Sequence, residues 1–116
     1  MNSEKKTRLD LDAELREILG SKNVYFSPPE SIKLRYPCIV YHRDSIETIK
    51  ADNLNYRMTT RYIVTIIDND PDSGEFDDSR GLFSLVEKFL NHFPMCRYAN
   101  HRFVNNMNHD TFILYY

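Results

Sequence analysis

The 116-residue chain has no tryptophan and only three glycines, five prolines and two cysteines. Three glycines do not build a glycine-rich phosphate loop, and neither G-x-S-x-G nor H-E-x-x-H occurs. Two cysteines, Cys38 and Cys96, are too few for a disulfide framework, and they read as small buried hydrophobes in a reducing compartment. No apolar run approaches a membrane span. The N-terminus is polar and lacks the apolar core of a signal peptide. Charge of one sign is missing too: 15 Lys and Arg face 17 Asp and Glu, for a net charge of −2. No global basic field therefore exists to hold a nucleic-acid backbone. Lys5, Lys6 and Arg8 cluster early, but Glu4 and Asp10 dilute them.

What is abundant is aromatic: eight Tyr and seven Phe, 13% of the chain. Tyr is favoured at protein interfaces because its ring is apolar and its hydroxyl is not. Hydrophobic residues at 41% and charged residues at 28% are ordinary for a globular protein, and the length predicts one domain over 1–116.

Residues 1–6 are expected to be disordered. Leu11, Leu15, Ile18 and Leu19 recur at helical spacing, which predicts a helix over Thr7–Leu19 ended by Gly20. Val24–Phe26 reads as a short strand, and Pro28-Pro29 breaks regular structure. Cys38–Arg43 reads as a second strand. Asp44–Tyr56 is polar and reads as a long hairpin connection, with strand character around Ile46–Ile49. Arg57–Asp68 is the clearest strand. It is apolar on both faces, so it should be central or covered on both sides. Phe76–Phe93 reads as a second helix with Leu82, Val86, Phe89, Leu90 and Phe93 on one face. Met95–Asn100 and Asp110–Tyr116 read as two further strands. The expected class is α+β: a small mixed or antiparallel sheet with two packed helices, in the order α-β-β-β-α-β-β. The last strand, TFILYY, has two possible arrangements. Either its edge is covered by a neighbouring subunit, or it pairs internally on both sides.

No constellation of residues spells out catalysis. Asp68, Asp70 and Asp72 followed by Gly74 faintly resemble a calcium loop, but Pro71 interrupts and Ser79 stands where the bidentate Glu belongs. An acidic turn before a helix accounts for them better. His92, Cys96, His101, His109 and Asp110 match no zinc spacing. Asp68 and Asp70 at a strand end suggest a metal-dependent nuclease, yet no lysine or further acid follows at the spacing that would activate water. No cofactor and no metal are expected, and the chain reads as a non-enzyme.

Three blocks carry a resemblance. LREILGSKNVYFSPPESIKLRYPCIVYHRD, RYIVTIIDNDPDS and the closing NHDTFILYY resemble small proteins of long-tailed phages and prophages, described as tail terminator, tail completion or head–tail joining proteins. The resemblance implies an α+β virion protein, assembled in the bacterial cytoplasm. It further implies a homo-hexameric ring at the head-proximal end of the tail tube, where it would end tube polymerisation. Its partners would be itself, the tail tube protein and the head connector or neck protein. Genomic DNA would pass through without specific binding, and no membrane would be involved. On this reading Ile46, Ile49, Asn53, Tyr56, Arg57, Tyr115 and Tyr116 are candidate contact residues, and Asp70, Asp72 and Asp78 could line an acidic lumen that repels phosphates. Other readings are a neck adaptor on the portal side, the nuclease, and a peptide-binding module that adds a strand at the C-terminal edge.

Overall fold

The computed structural model describes residues 7–50, 56–68 and 81–116. The elements are α1 (Arg8–Leu19), β1 (Val24–Phe26), β2 (Cys38–Lys50), β3 (Tyr56–Asp68), α2 (Gly81–His92), β4 (Cys96–Val104) and β5 (Met107–Tyr115). Class and order are those expected from the sequence: an α+β fold with a mixed sheet. The expected disorder of residues 1–6 and the expected start of the second helix at Phe76 lie outside the described residues.

α1 begins where a capping box can form. Thr7 accepts from the Asp10 backbone N–H at 3.3 Å, and its own N–H donates back to the Asp10 carboxylate at 2.9 Å. Thr7 is thus the cap rather than the first helical residue. The helix ends at Gly20, whose φ of 79° is left-handed and whose N–H closes onto the Arg16 carbonyl at 2.8 Å. Leu11, Leu15 and Ile18 form its buried stripe. α2 stops before Pro94, and its last turn closes through the Phe93 N–H to the Phe89 carbonyl.

The five strands lie in the order β1-β2-β3-β5-β4. β1 runs parallel to β2, and the other pairs are antiparallel. β3 is central, as its two apolar faces imply. Both helices pack on one face of the sheet. There Leu11, Leu15 and Ile18 of α1 and Phe89 and Phe93 of α2 meet Val24, Ile39, Tyr41, Tyr62, Val64, Ile66, Phe112 and Leu114. Each fully buried side chain of this kind contributes roughly 1.5–3 kcal/mol. Phe89 joins the layers, with its ring 4.5 Å from Phe112 and 4.9 Å from Phe93.

The strands differ from the sequence reading in two places. β2 does not stop at Arg43; it shifts register between Arg43 and Ser45 and continues to Lys50. A bulge absorbs one extra residue and lets pairing resume. The other difference lies in the closing hairpin. β4 and β5 meet at a two-residue turn, Asn105-Asn106, both with positive φ (54° and 62°). That geometry matches the right-handed twist of the flanking strands, so pairing persists through polar residues that look like loop in the sequence.

Candidate functional site

β2 and β3 are longer than the strands beside them. β1 covers β2 only at Ile39–Tyr41, and β5 reaches along β3 only to Arg61, opposite Tyr115. Beyond this the two strands continue as a pair, from Ile46↔Thr60 to Lys50↔Tyr56. The result is a two-stranded arm projecting about 16 Å past the body at the usual rise per residue. The described molecule measures 53 × 35 × 23 Å. A two-stranded ribbon is marginally stable alone in water. This one is fastened at its base. Arg61 donates through Nε to Asp44 at 2.6 Å and forms a second ion pair with it through Nη2. The Tyr116 N–H donates to the Thr60 carbonyl at 3.0 Å.

The candidate contact residues divide accordingly. Ile46 stands on the arm, 48% exposed. Ile49 pairs with Arg57, and Tyr56 with Lys50, in the arm's backbone register. Asn53 lies outside the described residues. Tyr115 sits at the arm's base. Tyr116 is an anchor of the fold instead: its hydroxyl donates to Glu14, and its ring lies 6.2 Å from Phe93. Burial and the Glu14 carboxylate push its hydroxyl pKa up, so it stays protonated. The lumen candidates Asp70, Asp72 and Asp78 also lie outside the described residues.

The C-terminal strand does not offer an edge. β5 pairs with β3 on one side and with β4 on the other. One edge of the sheet is β4, which the tight Asn105-Asn106 turn folds back along β5, and the other is the short β1. A strand-adding peptide site on β5 is therefore ruled out. Met95 (62% exposed), Phe103 (58%), Tyr98 (41%) and Val104 (40%) stand along β4 or beside it. The sequence reading missed this edge. Its signal was the pair of turn-forming asparagines, which marks a hairpin whatever the polarity of its arms.

One polar cluster is buried at the far end of the sheet. Asp110 is 4% exposed, Asn108 6% and Asp68 8%. Tyr98 donates to Asp110 and stacks edge-on against Phe112. His101 shares a hydrogen bond with Asn108 at 2.9 Å. Burial raises the Asp110 carboxyl above its ordinary value, against the opposing pull of the Tyr98 hydroxyl, His101 and His109. The imagined metal ligands have separate tasks. His92 pairs with Glu14 at 2.8 Å, Cys96 packs against the core, and His109 contacts the Met107 carbonyl. Among the described residues no three His, Cys, Asp or Glu side chains are grouped to hold a metal ion. The two thiols are not joined in a disulfide, and burial pushes each up to about 12. A second polar network ties α1 to the sheet: the Tyr41 hydroxyl donates to Asp12 at 2.7 Å and accepts from Arg8 at 3.2 Å.

No protein-family model, curated protein or solved structure matches the chain.

Proposed function

We propose that this chain is a structural virion protein that forms a ring at the head-proximal end of a phage tail tube, ends tube polymerisation and presents a surface to the head connector. The projecting arm carries the reading. It is a built feature that contributes no described residue to the core cluster, and so it suits contact with another molecule. The three blocks that resemble tail proteins support it, since they supply β1, the first part of β2, most of β3 and nearly all of β5, which are neighbours in one sheet. In a ring, heterologous contacts close by rotation, so the same pair of surfaces repeats at every joint. The arm would engage a neighbouring subunit or the last layer of the tube, while the body keeps its own fold.

Deleting the gene from its phage or prophage and measuring particles by electron microscopy tests this. The expected outcome is overlong or irregular tails. Tails of normal length beside unjoined heads would assign the chain to the portal-side neck instead. Normal, infectious particles would overturn both.

A further inference from the structure

We draw no further inference here: the strongest candidate, the outward edge of β4 with Met95, Tyr98, Phe103 and Val104 exposed along it or beside it, carries nothing because nothing in the structure shows what covers it.

Discussion

Asp110 shows how far a single residue can sit from its ordinary chemistry. It is 4% exposed and accepts from Tyr98, and burial raises its carboxyl despite that bond. A raised folded-state value means that the folded protein holds more protons than the unfolded one between the ordinary carboxylate pKa and the raised one. Stability contributed here therefore falls as pH rises through that window. Asp110→Asn keeps an acceptor for Tyr98 and removes the charge. Its stability relative to the parent, measured by urea unfolding from acid to neutral pH, should improve as pH rises and be at least equal at neutral pH. A loss of more than about 2 kcal/mol at neutral pH would mean that the charged partner is needed. Neither the burial of Asp110 nor its partner was legible in the sequence, where it read as the first residue of the last strand and as one of a set that matched no zinc spacing. The end of α1 was legible, because Gly20 announced its turn.

Among the elements, the arm separates stability from function. Its outer part lies beyond β1 and β5, so shortening it removes strand pairing and little core. Replacing 48–58 with Asn-Gly should leave a cooperative fold, within about 1 kcal/mol of the parent, because the register from Cys38↔Ile67 to Glu47↔Thr59 survives. Calorimetry checks that part. On the proposed function the same variant should fail to restore normal tail length to the deletion strain. A variant that restores it fully would remove the arm from the contact. Periodicity found both helices and the core of every strand. The strand character expected around Ile46–Ile49 is part of β2, but periodicity stopped short at β4 and β5, since residues such as His101 and Arg102 have no pattern that distinguishes an extended ladder from a loop. Pairing partners decide that, and a partner is not a local property.

For the whole molecule, the helices and sheet share one core, and Phe89 links its layers. Phe89 is fully buried between Phe93 and Phe112. Phe89→Ala should cost about 3–5 kcal/mol, a large part of the stability of a domain this size. Far- and near-ultraviolet circular dichroism should lose structure in a single coincident transition. Separate transitions would show that α2 is a peripheral addition rather than part of one cooperative unit.

By itself the sequence determined the class, the element order, the helix faces and the central place of β3. These follow from apolar spacing along the chain, which local physics reads directly. The tertiary structure alone decided that β5 lies inside the sheet and β4 at its edge. It alone made β2 and β3 an arm, buried Asp110 and left one sheet face without a described helix. Each of these depends on which distant segments meet. Two asparagines with positive φ and two register shifts, at Arg43/Ser45 and Tyr98/Asn100, shape the strand pairings among them, and they leave no more than a faint mark on composition or periodicity.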